Sequence, residues 1–125
     1  MYVTDRTEEK LKGVHPDLVA VIHQARTKNL DMFIITEGLR TLDKQKLLFA
    51  SGATTTLKSR HLTGHAVDVA ALVDGEVRWD WPLYKKIADV IKAEAALLKV
   101  DIQWGGDWKT FKDGPHFQLN PRVYP

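Results

Sequence analysis

The chain of 125 residues has no cysteine. That excludes disulfides, thiolate metal sites and cysteine nucleophiles, so any bound metal must take its ligands from His, Asp or Glu. Long apolar runs are missing as well; none approaches the roughly eighteen residues of a membrane span. The opening segment, Met1 to Gly13, carries Asp5, Arg6, Glu8, Glu9, Lys10 and Lys12 but no apolar stretch, so it reads as no secretory signal. The expectation is a protein made and first folded in the cytoplasm, with no membrane insertion. Dense charge of one sign is also absent. Eighteen basic residues stand against 16 acidic ones, a formal charge of +2, far from the footprint of a nucleic-acid binder. A mildly basic surface still favours an anionic polymer.

What is present is ordinary for a soluble globular protein: 44% hydrophobic and 27% charged residues. A chain of this length forms one domain, residues 1–125, and buries about two thirds of its unfolded surface without staples. It is expected to act as a monomer.

Periodicity sets out the elements. Leu18, Val21, Ile22 and Ala25 recur at the spacing of one helical face behind His15-Pro16-Asp17, and Lys28-Asn29 suits the carboxyl end. His15 and His23 read as ordinary surface or helix-end histidines. Met32 to Thr36 is a short β-rich run, expected as a buried strand that delivers Glu37-Gly38-Leu39-Arg40 to a loop. Leu42, Gln45, Leu48 and Phe49 mark a second helix that stops near Ser51-Gly52. Ala53 to Lys58, with three consecutive threonines, is a polar loop.

From His65 onward, Val67, Val69 and Ala71 alternate with Ala66, Asp68 and Ala70, the period of a strand. Asp74-Gly75 is a tight hairpin signal, so an antiparallel partner ends near Trp79. Pro82 opens a long helix to about Leu98, with Leu83, Ile87, Val90, Ile91, Ala95 and Leu98 on its apolar side. Ile102 to Trp104 and Phe117 to Leu119 are the last strands. The predicted fold is α+β, with helices packed on a mostly antiparallel sheet.

Two clusters carry chemistry. Ser59-Arg60-His61-Leu62-Thr63-Gly64-His65-Ala66-Val67-Asp68 holds three potential ligands, and its Thr63-Gly64 bend can fold His61 back over Asp68. His61 and His65 have the spacing of a helical zinc pair, but Gly64 weakens a helix there and the glutamate of a His-Glu-x-x-His motif is missing. His65 is therefore read as a rim residue or one hydrogen-bonded to the site, with a plain polar turn residue as the alternative. The second cluster is Trp104-Gly105-Gly106-Asp107-Trp108 followed by Asp113-Gly114-Pro115-His116, a turn able to aim Asp113 and His116 into one cleft. His61, Asp68 and His116 together give one zinc ion three protein ligands and leave the fourth position to water, the pattern of a catalytic site. Two neutral imidazoles and one carboxylate leave such a site net positive, which moves the pKa of the water from about 9 toward about 7. Asp113, not a ligand, is the candidate proton carrier. Arg40, at the carboxyl edge of a strand, is the candidate stabiliser of an oxyanion, against the alternative of an ion pair with Glu37 or Asp43. Trp104 and Trp108 read either as substrate contacts or as packing residues.

The pattern Ser-x-His-x-x-Gly-x-Ala-x-Asp at Ser59 to Asp68, with Asp-x-x-His at Asp113 to His116, resembles the zinc peptidases of the D-alanyl-D-alanine carboxypeptidase, VanX and VanY group. Gly38-Leu39-Arg40-Thr41 with Gln45, and Trp104 to Trp108, most resemble its branch of phage L-alanyl-D-glutamate endopeptidases. The resemblance runs from about Ile34 to Leu119. It implies a Hedgehog-like α+β fold, His61, Asp68 and His116 as zinc ligands, Asp113 as catalytic acid/base, Arg40 as a stabiliser of substrate or transition-state charge, and a supporting role for Ser59. It further implies a phage endolysin that hydrolyses peptidoglycan stem peptides and accumulates in the host cytoplasm until a membrane pore releases it. The rival readings are a D-alanyl-D-alanine carboxypeptidase or dipeptidase, and a zinc-bearing wall-binding module without hydrolysis.

Overall fold

Local signals set the element ends in the computed structural model, which describes residues 4–29 and 31–125. The first three residues of the amino-terminal segment lie outside that range. A single turn, α1 (Thr7–Lys10), precedes α2 (Pro16–Lys28). His15 caps α2, its Nδ1 accepting the Asp17 N–H at 3.0 Å, so this histidine has the helix-end role read from its position. Strand β1 (Phe33–Glu37) leads to α3 (Leu42–Ala50), capped by the Thr41 hydroxyl, which accepts from the Lys44 N–H. A 3-10 turn (Arg60–Thr63) then enters β2 (Ala66–Val73), and the Asp74-Gly75 turn joins β2 to β3 (Glu76–Arg78). The long helix α4 (Trp81–Leu98), strand β4 (Ile102–Trp104), a second 3-10 turn (Gly105–Asp107) and β5 (His116–Leu119) complete the order.

The sheet runs β1-β2-β5-β4, with β3 also paired to β2, and every pairing is antiparallel. The α+β prediction therefore holds. Alternation along β2 divides the molecule. Val67, Val69 and Ala71 join Leu18, Val21, Ile22 and Ala25 of α2 and Ile87, Ala88, Ile91 and Ala95 of α4 in one buried apolar cluster. Asp68, between Val67 and Val69, points to the other side. Burial of the apolar side chains supplies the main driving force, at about 1.5–3 kcal/mol for each large one.

The helix expected from Leu42, Gln45, Leu48 and Phe49 is present as α3, and one expectation about a helix face, at Leu98 of α4, needs correction. The apolar residues of α3 do not enter the core: Leu42 and Phe49 are about half exposed and Leu47 is 72% exposed, whereas the polar Gln45 is fully buried. Gln45 is inside because its amide is satisfied on both ends, accepting from Arg40 Nη1 at 2.8 Å and donating to the Thr56 carbonyl at 2.7 Å. At the end of α4, Leu98 is exposed, and the chain turns away through Lys99 at φ 58°.

Candidate metal centre

The bend before β2 is built by its own side chains. The Ser59 hydroxyl accepts the His61 N–H at 3.2 Å and starts the 3-10 turn, and Gly64, at φ 72°, ends it in a conformation that a side chain would strain. This returns the buried His61 ring over β2, where Nε2 lies 3.2 Å from Asp68 Oδ1. On β5, His116 is the cross-strand partner of Asp68, and its Nδ1 lies 3.2 Å from the same oxygen. The two imidazoles meet edge to face with centroids 5.1 Å apart. The ligand atoms of His61, Asp68 and His116 all fall within 4.8 Å of one another, so the structure brings together the three residues expected from sequence.

The far side of each imidazole decides what these atoms can do. His61 Nδ1 faces the Gly38 carbonyl at 2.8 Å, which only an N–H can satisfy. His116 Nε2 faces Gln118 Oε1 at 2.8 Å, and Gln118 in turn donates to Gln103 Oε1 at 3.0 Å. Each neutral ring therefore turns a lone pair toward Asp68, and three acceptors converge with no proton among them. Only a cation resolves that contact, either a proton on an imidazole or a metal ion. Two nitrogens and one carboxylate oxygen suit a borderline divalent metal. The donor set fits one.

The two acids of the site are driven apart. Burial alone would raise the Asp68 pKa, but with a proton rather than a metal in the contact, hydrogen bonds from His116 and His61 outweigh it and hold the carboxyl far below the ordinary range. Burial would likewise lower His116, and the Asp68 carboxylate reverses the sign and raises it. Asp113 has no such partner: burial raises its pKa and the Asp68 charge raises it further. A carboxyl that keeps its proton to higher pH beside one that stays ionised is the separation expected of an acid/base and a ligand.

Asp113 is positioned by the glycines of the Trp104-Gly105-Gly106 stretch. A Cβ on Gly105 would lie 2.3 Å from the Asp113 carbonyl oxygen, and one on Gly106 would lie 2.3 Å from the Trp104 ring. The Asp113 N–H donates to the Gly105 carbonyl at 3.0 Å. Trp104 is buried, donates from Nε1 to the Gly114 carbonyl at 2.7 Å and stacks near Phe117. It therefore supports the Asp113–His116 turn from the core and does not line the cleft, which decides between the two readings of Trp104 in favour of packing. Trp108 does line it, 5.2 Å from the His116 ring.

The remaining expected residues separate in the same way. Arg40 lines the cleft and is partly buried, paired with Glu37 and bonded to Gln45. The ion pair with Glu37 thus exists together with the site position, and Gln45 orients Arg40 without facing the cleft. Ser59 lines it while capping the turn. His65 does not belong to it: Nδ1 bonds the Thr63 hydroxyl at 2.6 Å and the ring lies 5.6 Å from His15. Its odd offset from Asp68 along extended chain places it on the other side. Sequence reading overlooked Gln118, although period two puts it on the same face of β5 as His116. It also overlooked Phe111 and Lys112, which with Lys58 at the end of the polar loop line the cleft of about 720 Å³ around His61, Asp68 and His116.

Comparison with known proteins agrees with this geometry. The chain is 38% identical over 92 residues to the L-alanyl-D-glutamate peptidase of Listeria phage A118, covering 73% of this chain and 31% of that protein. It is 32% identical over 110 residues to the peptidoglycan L-alanyl-D-glutamate endopeptidase CwlK of Bacillus subtilis (strain 168), covering 78% of this chain and 65% of that one. The chain thus spans less than two thirds of either relative. The crystal structure of the Serratia marcescens L-Ala D-Glu endopeptidase ChiX superposes with a TM-score of 0.92 at 50% identity, covering all of this chain and 94% of that chain. The D,D-dipeptidase VanXYg shares the fold at a TM-score of 0.57 and 18% identity, covering 85% of this chain and 50% of that chain. The family model described as phage L-alanyl-D-glutamate peptidase matches residues 1–119, and the chain belongs to that family.

Proposed function

We propose that this protein is a zinc-dependent endopeptidase that hydrolyses the L-alanyl-D-glutamate bond of peptidoglycan stem peptides, as a phage endolysin. The observation that carries the reading is the convergence of three acceptors, His61 Nε2, Asp68 Oδ1 and His116 Nδ1, in a cleft that also holds a carboxyl of raised pKa. His61, Asp68 and His116 would hold a zinc ion, which would supply Lewis acidity for the scissile carbonyl and lower the pKa of water toward about 7. Asp113 takes a proton from the attacking water and delivers it to the leaving amine. Its burial and the nearby Asp68 charge favour the protonated form that the second transfer needs. Arg40 spends one Nη on Glu37 and the other on Gln45, which fixes the guanidinium; its remaining N–H groups stabilise negative charge developing on the carbonyl oxygen. Gly38 and Gln118 keep the two imidazoles in the tautomers that bind metal.

As an endolysin the protein gathers in the host cytoplasm and reaches the wall after release. Among the described residues no helix is long and apolar enough to cross a membrane. The test is digestion of purified peptidoglycan with and without a chelator, with the new termini read by mass spectrometry. Chelator-sensitive release of peptides that begin with D-glutamate is the expected result. Release of D-alanine alone would move the activity to the carboxypeptidase class, and an intact wall in both tubes would overturn the enzyme assignment.

A further inference from the structure

The cleft contains four cationic side chains; among the described residues only Arg40 has an ion-pair partner, and Lys58 and Lys112 have neither an ion pair nor the carbonyl contacts that hold Arg60. Arg40 is committed to Glu37 and Gln45. Arg60 donates from Nη2 to the carbonyls of Leu119 and Tyr124, which ties the site to the carboxyl-terminal segment. Lys58 and Lys112 also line the cleft, both exposed, and neither ammonium has an ion-pair partner among the described residues. They approach from different segments: Lys58 ends the threonine loop just before Ser59, and Lys112 directly precedes Asp113. The acids of the cleft, Asp68 and Asp113, belong to the metal centre itself.

The substrate named above has a matching charge. A D-glutamyl residue carries two carboxyls, and only one continues the peptide. The residue just after the scissile bond therefore keeps a free carboxylate unless it has been amidated. We propose that Lys58 and Lys112 grip this carboxylate and make the enzyme selective for stem peptides with an unamidated D-glutamyl residue. The inference rests on the endopeptidase reading and adds what selects the substrate beside the cut. A compact, mobile ammonium suits a carboxylate presented at a rim, since it needs no fixed bidentate geometry.

The test compares two synthetic stem peptides that differ only in this group, the free acid and its carboxamide, with zinc-loaded wild type, the Lys58→Gln/Lys112→Gln double variant and the Lys58→Arg/Lys112→Arg double variant. Wild type should prefer the acid by about tenfold in kcat/KM, equivalent to about 1.4 kcal/mol. That preference should fall toward one in the Gln pair, return in the Arg pair, and weaken with added salt as an exposed charge contact does. A wild type indifferent to amidation, or a Gln pair that keeps the full preference, overturns the proposal. If wild type cuts neither peptide at the L-alanyl-D-glutamyl bond, the endopeptidase reading fails first and this selectivity with it.

Discussion

The two sides of the sheet are built on opposite principles. Under α2 and α4 the contacts are apolar, continuous and dry, with Val67, Val69, Ile22, Ile87 and Ile91 completely buried. On the cleft side, Asp68, His61, His116, Gln118, Arg40 and Gln45 hold one another by hydrogen bonds and charge, and α3 turns Leu42 and Leu47 outward while Leu48 lines the cleft. Stability is concentrated on the first side, where burial needs no directional partner. Chemistry is concentrated on the second, where each polar group depends on its neighbours. Substitutions on the two sides should therefore fail in different ways.

The largest effect is expected at the ligands. His116→Ala or Asp68→Ala should abolish bound zinc, measured by elemental analysis, and with it turnover on peptidoglycan, while far-UV circular dichroism stays that of a folded chain. A collapse of the spectrum would join the two sides that the structure separates. Asp113→Ala should retain zinc yet lose about 10²- to 10⁴-fold in turnover; unchanged turnover would remove Asp113 from proton transfer. On the helical side, Ile91→Ala should cost about 2–5 kcal/mol in urea unfolding through a cavity in the α4 contact, with zinc stoichiometry unaltered in the folded fraction. Glu37→Gln should cost less, about 1–3 kcal/mol at neutral pH, because Arg40 and Lys44 both pair with Glu37. Burial would raise the Glu37 pKa, but these cations lower it below the ordinary 4.5. Its contribution is therefore complete above pH 4.5 and lost as pH falls through the depressed value, so wild type and Glu37→Gln should converge in stability at acid pH. The smallest effect belongs to Leu47→Ser on the outer face of α3, within about 0.5 kcal/mol; a larger loss would mean that α3 packs after all.

Most of the helical side was legible in the sequence because burial imposes periods that can be counted. Leu18, Val21, Ile22 and Ala25 announce α2, and the alternation through Val69 announces β2 and its inward face. The three residues of the candidate metal centre were legible for another reason: few residue types could hold a metal, and Gly64 and Pro115 mark the turns that carry them. The same counting found α3 but did not say which residue it buries, Gln45 rather than Leu42 or Phe49. Trp104 was left open and His65 was placed at the rim because composition near a site does not say which way a side chain points. Gln118, Gln103 and the Gly38 carbonyl stayed hidden, since a residue that orients a ligand has no type or spacing of its own and is found only by following hydrogen bonds.

Asp68 is paired across one strand boundary with His116 and across the other with Glu37. A slip of one residue between β2 and β5 would send His116 to the helical side and leave Asp68 opposite an apolar neighbour. The candidate metal centre is thus also a gauge of assembly: only chains whose β2 and β5 are in the native alignment bring its three residues together. Counting bound metal per chain during refolding would measure sheet register directly, and a preparation with misaligned strands would be silent in the wall assay however much helix it contained.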